Sequence, residues 1–549
     1  MGDKLDDKQR SVVDAVVDGI RMPSLRKPML LLGEAGTGKS WVLREICRQA
    51  VGMSMAVICP TGVAAENLQA MLQQGGATVP KGIPTPCTAH SFFMLRENQS
   101  VEETVEKLLE HKPKRVEIIC SPDFLLIIDE LPMMSLQLLD KIQGILRLLR
   151  SRDYKTCRRH AWGGAWVIMS GDCFQLPPVE KIDVPHCMCQ VPAFFFLHPE
   201  WSRMVERIIL LETIHRQDDP EFTRFLSEIR RRLPGTALSA RSQQFLHGLQ
   251  MKTFEELDQR EEEERKHGIK LTHLCPTLQE AGEINQGQVR WLLGQKKEAR
   301  KFPVQVTKVS DDPAYHKELA EKLMKRLGTR RTKGTPLEYM VVGSKVRFTY
   351  NLATGEGVSN GTVGVIVGFD DPEGEWTAHE LLLSKARRRM PQEESRKKGF
   401  PVVKVRNTKR GDILVLAAPH TIRETIMGPS NKSVLAFIDA EVIPLIHGVA
   451  STIHSSQGMT LDQGVISFSN CFDYGMGYVA FSRFKTHPSV FHCDPDALTC
   501  SPLAEEFYQR VAHGDSDHGA IKLKEINRAM LYLENQRPDA EPPLKRPKV

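Results

Sequence analysis

Three short stretches of this chain carry residue types that handle phosphate chemistry. GEAGTGKS, Gly33 to Ser40, follows the apolar run PMLLL and precedes WVLREICRQA, in which Val42, Leu43, Ile46, Cys47 and Ala50 share one helical face. That order predicts strand, loop and helix. Glycines at 33, 36 and 38 let the backbone N–H groups of Glu34, Ala35 and Thr37 turn inward. Lys39 then reaches terminal phosphates, and Ser40 opens the helix as a magnesium ligand. LLIIDE ends an apolar strand on Asp129 and Glu130, where open α/β sheets place ligand-handling groups. Two carboxylates suit two tasks: Asp129 holds the magnesium through water, and Glu130 orients and deprotonates the water that attacks the γ-phosphate of ATP. A third apolar run, AWVIMS, leads into GDCFQLPPV, whose Gln175 amide can bond the γ-phosphate or the attacking water and sense its loss.

Phosphoryl transfer also requires cations to neutralise developing charge. Arg216 in LETIHRQ and Arg483 in GYVAFSRF are assigned that task from their motif settings. Gln9, in the helical run DDKQRSVVDAV, is expected to read the adenine edge through its amide.

These stretches need elements to position them. Apolar runs of strand length precede loops and helices at Met29 to Leu32, Met55 to Cys59, Phe124 to Ile128, Trp166 to Ser170 and Val465 to Phe468, which predicts parallel α/β cores. Residues 337–440 read differently, as short strands broken by Gly and charged turns, and are expected to form a small β-barrel-like insertion. At 549 residues the chain exceeds one hydrophobic core and should divide into three or four domains. No stretch reaches the roughly 18 uninterrupted apolar residues of a membrane span, so no membrane partner is expected.

Twelve cysteines scattered through predicted strands and helices read as reduced thiols. Cys157, His160, His186, Cys187 and Cys189 lack paired Cys-x-x-Cys spacing and read as structural rather than as a zinc site. The charge balance is mild, 74 basic against 68 acidic residues, or +6. Nine basic residues between Arg387 and Lys409 concentrate it locally, at a density suited to phosphate contacts. The tail RPDAEPPLKRPKV reads as disordered, and its Lys545, Arg546 and Lys548 as a nuclear-import signal, favouring the nucleus over the mitochondrion.

Taken in order, Gln9, GEAGTGKS, CPTGVAAENL, TAHSFF, LLIIDE, GDCFQLPPV, LETIHRQ, STIHSSQGMTLD and YVAFSR resemble the motifs of superfamily 1B DNA helicases, the Pif and RecD-like family. The NGT at Asn360 to Thr362 and the run LLDKIQGILRLLR ahead of Gly163 and Gly164 are similar to its Pif side. The resemblance implies an α/β fold of two RecA-like P-loop NTPase domains with a wedge insertion and an SH3-like β-barrel insertion. It implies a first core over 1–200 with the wedge near 93–120, a second over 201–336 and 441–515, the barrel over 337–440, and a C-terminal helix and basic tail over 516–549. It implies ATP and Mg2+ as cofactors, and movement 5′ to 3′ along single-stranded DNA with unwinding of tailed or forked duplex. Replication-complex proteins are implied as partners, and a monomer as the working form.

Carried over by position, Thr61, Gly62, His90, Ser91, Asn360, Thr452, His454 and Ser455 are expected to contact the strand, with Gln457 and Gly458 linking that contact to the phosphates. Hydroxyls, imidazole and strand-end N–H groups can hold a backbone without reading bases. Phe92 and Phe93 read as core. The sequence departs from the family at Leu131 and Pro132, at Cys173 and at Phe481. Two other readings remain open: a nucleotide-gated DNA clamp within a replication complex, and an ATPase acting on RNA.

Overall fold

In the computed structural model the described residues are all except 1–4, 73–83, 97–98, 154, 185–189, 218, 251–271, 331–338, 350–357, 359–361, 370–380, 383–398, 408–410, 418, 428–433, 460, 462–463, 469–470, 492–496 and 527–549. The chain divides into two units, Met1–Arg260 with Ile453–Val549, and Glu261–Thr452.

The first unit is built on a six-stranded parallel sheet. In chain order its early elements are α1 (Asp7–Arg21), β1 (Met29–Gly33), α2 (Lys39–Gln49), β2 (Ser54–Cys59), α3 (Gly62–Leu72), β3 (Cys87–Thr88), α4 (Ala89–Phe93), α5 (Val101–His111) and α6 (Pro113–Cys120). They are followed by β4 (Phe124–Ile128), α7 (Leu136–Arg150), β5 (Trp166–Gly171), a hairpin of β6 (Lys181–Asp183) and β7 (Gln190–Pro192), α8 (Trp201–Met204), β8 (Arg207–Leu211), α9 (Pro220–Arg231) and α10 (Ala240–Leu249). The strand order is β3-β2-β4-β5-β1-β8. All of β1, β4 and β5 are buried along their length, the continuous apolar run expected of parallel strands covered on both faces.

The alternation of side chains separates two cores. Leu30, Leu32, Leu126, Ile128, Val167 and Met169 face one way, against α5, α7 and the Pro502–Ala512 helix. Met29, Leu31, Leu125, Ile127 and Ile168 face the other, against Val12, Val16, Val42, Ile46, Ala64 and Leu68 of α1, α2 and α3. Phe92 and Phe93 are core residues, as their apolar setting predicted. The Pro502–Ala512 helix packs into the first sheet's core, where Phe507 stacks on Phe196 with ring centroids 4.4 Å apart. Its last described neighbours form a 3-10 turn at Leu523–Glu525, and the basic tail lies outside the described residues.

The second unit is mostly antiparallel. Within it β9 (Thr272–Cys275) is followed by β10 (Ala299–Lys301), β11 (Gln305–Val309), β12 (Tyr339–Val341), β13 (Lys345–Phe348), β14 (Val363–Phe369), β15 (Leu381–Leu382), β16 (Pro401–Asn407), β17 (Gly411–Leu416), β18 (His420–Met427), β19 (Val434–Val442), β20 (Leu445–His447) and β21 (Ala450–Thr452). Six of these form one sheet in the order β15-β17-β16-β14-β13-β20, with a core of Val346, Phe348, Ile366, Val403 and Val415. The segment expected to form a single insertion is split: β18 and β19 pair with β11 in a separate three-stranded sheet. Leu319 and Leu323 of the His316–Arg330 helix pack with Ile422 and Ile438 of that sheet. A cross-strand partner lying outside the segment is not visible to local patterning. β9 also pairs with β21 in parallel, Leu274 opposite Ser451.

Candidate active site

The glycine-rich loop leaves β1 at the carboxyl edge of the sheet. Gly38 sits at φ 78°, a left-handed conformation that L side chains rarely adopt, and a Cβ there would lie 2.6 Å from the Gln9 amide. Thr37 folds its hydroxyl back onto the Glu34 carbonyl at 2.9 Å, and Lys39 and Ser40 open α2. Lys39 points into the loop and donates to the carbonyls of Gly33 (2.8 Å) and Glu34 (2.9 Å). Burial pushes its ammonium below its ordinary value, an effect opposed by Asp172, Glu130 and Asp129. The lysine and the acidic pair therefore share one electrostatic site.

Gln9 is placed differently from its expected role. Its Nε2 donates to the Thr37 carbonyl at 3.0 Å and its Oε1 accepts from Asp6 N at 3.1 Å, closing a capping box at the start of α1. One end of the amide thus braces the loop and the other caps α1.

Asp129 follows β4 and accepts from the Ser170 hydroxyl of β5 and from the Glu130 backbone N–H. Glu130 lies at φ 54°, ψ 42°, a strained left-handed position for a residue with a Cβ. Burial raises both carboxyls above their ordinary values, and for Glu130 the neighbouring Asp129 charge adds to it. A buried carboxylate pair of this kind favours a nearby cation. Leu131 and Pro132, the departures after the pair, form a buried 3-10 turn whose proline packs against Gly171. Cys173 is buried in the core, and Phe481 is buried with its ring edge-on to Phe225.

Gln175 is buried, and its Oε1 accepts from Gln457 Nε2 at 3.2 Å. That contact joins the segment after β5 to the residue that follows the Ile453–Ser456 turn of helix. Gly458, at φ 82°, faces Asn67 and Ala64 of α3.

The two arginines meet at the Met476–Ser482 helix. Arg216 Nη1 donates to the Ser482 carbonyl at 3.0 Å, and Arg483 donates through Nε to the Val479 carbonyl and through Nη2 to the Ser482 hydroxyl. The adjoining His215 N–H donates to the Gly36 carbonyl at 2.8 Å, which fixes Arg216 against the glycine-rich loop. Burial lowers Arg216, and burial together with the Arg216 charge pushes Arg483 down to about 10, while Glu130 acts in the opposite direction on both. Both guanidiniums therefore lie within electrostatic range of Glu130. Lys39, Asp129, Glu130, Gln175, Arg216 and Arg483 converge on one site.

A second set of residues at this site is absent from the sequence reading. Arg230 of α9 is 2% exposed and reaches Asp172 (Nη2–Oδ1 3.0 Å) and Glu34 (Nη1–Oε1 3.4 Å). Tyr478 accepts from the Ala35 N–H at 2.8 Å and donates to Asp172 at 3.0 Å. Asp172 thus ties the glycine-rich loop to two helices. The sequence carried the signals. Phe222, Phe225, Leu226, Ile229 and Arg230 fall at helical spacing on the buried face of α9, so Arg230 in the run RRR belongs with the core. Tyr478 opens the same YVAFSR motif that supplies Arg483.

Of the residues expected to touch a strand, Thr61 caps α3 by accepting from Ala64 N at 3.2 Å, and Gly62 begins that helix. His90 and Ser91 are exposed on α4, just beyond β3 and at the same sheet edge as the glycine-rich loop. His454 stacks on Phe472 at 5.6 Å, Ser455 is half-buried beside it, and Thr452 is buried at the end of β21 in the second unit. Asn360 lies outside the described residues, as do His186, Cys187, Cys189 and most of the basic segment from Lys385 to Arg410. Among the described residues no group of three or more His, Cys, Asp or Glu is arranged to hold a metal ion, and no helix is long and apolar enough to cross a membrane.

The PIF1-like helicase family profile matches residues 4–225. The ATP-dependent DNA helicase PIF1 of Emericella nidulans is 25% identical over 96% of this chain, which spans 65% of that relative's length. The Pif1 helicase of Candida albicans has a similar structure, with TM-score 0.66 and 23% identity, covering 92% of this chain and 99% of that one. Pif1 helicase from Bacteroides, solved in complex with ADP-AlF3 and ssDNA, gives TM-score 0.60 at 21% identity, covering 94% and 99%. The shared fold is one of two RecA-like, mixed α/β domains. In its ordered motifs and along nearly its whole length, this chain is similar to PIF1-like helicases, whose family profile it matches over residues 4–225.

Proposed function

We propose that this chain is an ATP-dependent DNA helicase that moves 5′ to 3′ along single-stranded DNA and unwinds tailed or forked duplex. The observation that carries the reading is the convergence of Lys39, the buried pair Asp129 and Glu130, and the buried Arg216 and Arg483 around one glycine-rich loop. Lys39 and the loop N–H groups hold the triphosphate, with Gly33 to Ser40 as the cradle. Glu130, made more basic by burial and by the Asp129 charge, takes the proton of the attacking water. Arg216 and Arg483 neutralise charge that develops on the phosphoryl oxygens. Gln175, through Gln457, carries the state of the phosphates to the strand-binding segment around His454.

The Ser40 hydroxyl and the Asp129 carboxylate are hard oxygen donors that fit Mg2+, which supplies charge neutralisation between the phosphates. Thr61, Gly62, His90, Ser91, Asn360, Thr452, His454 and Ser455 form the strand contacts. α5 and α6 serve as the wedge, and the six-stranded sheet of the second unit corresponds to the SH3-like insertion. Lys545, Arg546 and Lys548 favour action in the nucleus, with replication proteins as partners. The family relationship and the ADP-AlF3 and ssDNA complex of the Bacteroides protein support the pairing of nucleotide and strand.

Directional unwinding tests this. The purified chain with ATP and Mg2+ should displace a strand from a duplex with a 5′ tail and leave a 3′-tailed duplex intact. Tight binding without displacement would instead favour a nucleotide-gated clamp, and turnover stimulated by RNA in preference to DNA an RNA-directed ATPase.

A further inference from the structure

The second unit buries an arginine that has no acidic partner among the described residues. On β13, Val346 and Phe348 enter the core of the six-stranded sheet, so the alternation of the strand turns Lys345 and Arg347 to its other face. There Lys345 Nζ donates to the Thr272 hydroxyl of β9 at 2.8 Å, and Arg347 Nη1 donates to the Ser451 hydroxyl of β21 at 3.1 Å. Arg347 is 8% exposed, and its Nε is buried without a hydrogen-bond partner among the described residues. Burial lowers Arg347 from its ordinary value with no carboxylate opposing it. A guanidinium does not escape this by losing its proton, and an uncompensated buried charge is unfavourable. Its planar fork matches the oxygens of a phosphate in two-point contact.

The placement is specific. Ser451, whose hydroxyl accepts from Arg347 Nη1, immediately precedes Thr452 in STIHSS, and the Nε of the same guanidinium has no partner among the described residues. We infer that Arg347, set beside Ser451, is a seat for one backbone phosphate of a bound nucleic-acid strand. This rests on the strand-binding reading of the preceding subsection and adds a contact to it from a position outside the motifs. The contact is electrostatic and reads no base, as a motor that moves along any sequence requires.

The test is the salt dependence of binding to a fluorescent oligothymidylate by the full chain and its Arg347→Met and Arg347→Lys variants. Methionine keeps an unbranched side chain of similar reach and removes the charge. Its affinity should fall roughly tenfold, the scale of one charge-assisted hydrogen bond. The slope of log K against log salt should become shallower by about 0.7, the contribution of one phosphate on a single strand. Arg347→Lys should keep the wild-type slope. The melting temperature of unliganded Arg347→Met should equal or exceed that of wild type, because an unpaired buried charge has been removed. Wild-type slope and affinity in Arg347→Met overturn the assignment. So does a lowered melting temperature with an unchanged slope, which would make Arg347 a folding residue alone. Failure of the wild-type chain to bind the oligonucleotide overturns the strand-binding reading together with this one.

Discussion

Replacing Arg230 by methionine should destabilise the first unit strongly at neutral pH and progressively less in acid. Arg230 and Asp172 have side chains 2% and 0% exposed, and Arg230 also reaches the 19% exposed Glu34 and stacks over Phe174 with its guanidinium carbon 4.4 Å from the ring. Removing one partner of such a pair leaves the other charge buried alone, a loss of about 3–5 kcal/mol. Burial by itself raises Asp172, but Arg230, aided by Lys39, more than reverses this and holds its carboxyl below the ordinary value. In the wild type that stabilisation is complete above the ordinary carboxylate range and is lost as pH falls through the lowered value of the folded state. In Arg230→Met burial acts unopposed by the guanidinium, so Asp172 and Glu34 should titrate above their ordinary values. Protonation then relieves the penalty, and the gap from wild type should narrow as pH falls from about 7.5 toward 5. Urea unfolding followed by tryptophan fluorescence at several pH values measures it. Adding Asp172→Asn to Arg230→Met should recover part of the loss. A gap under about 1 kcal/mol at neutral pH, or one that does not narrow in acid, would refute the assignment of this network as a buried electrostatic tie.

Two further outcomes concern the reacting centre. Arg483→Ala should lower the kcat of strand-stimulated ATP hydrolysis by about 10³-fold or more with a far smaller change in KM, because its proposed role is confined to developing charge; phosphate-release kinetics read this directly. Tyr478→Phe removes the hydroxyl that accepts from Ala35 and donates to Asp172, and should reduce stability by about 1–3 kcal/mol through the buried groups left unsatisfied; denaturant midpoints compared with wild type measure that loss.

Much of the site was legible in the chain because its chemistry is local. A glycine-rich loop needs its strand, turn and helix within a dozen residues, and GEAGTGKS carries all three in sequence. Asp129 and Glu130 announce themselves by ending a fully apolar strand, and a parallel sheet brings the ends of β1, β4 and β5 to one edge whatever the helices do. That the Gln9 amide meets the Thr37 carbonyl, 28 residues on, while capping its own helix at Asp6, is a matter of the fold. Other features depended on residues distant in the chain. Helical spacing turns Arg230 toward the buried face of α9, but its partner Asp172, 58 residues earlier, is set by the fold alone. β18 and β19 look like part of the neighbouring β-rich segment until β11 pairs with them across more than a hundred residues.

The sequence by itself determined the parallel core, the glycine-rich loop and the placing of Asp129 and Glu130 at a strand end, because periodicity and short motifs encode strand ends and loop conformation directly. Tertiary structure alone decided which charges are buried together, tying the loop to α9 through Arg230 and to the Met476–Ser482 helix through Tyr478, and leaving Arg347 without a counter-charge among the described residues. The reason is physical: spacing along a chain sets which face a residue occupies, whereas the electrostatic character of that residue depends on which distant groups share its low-dielectric surroundings.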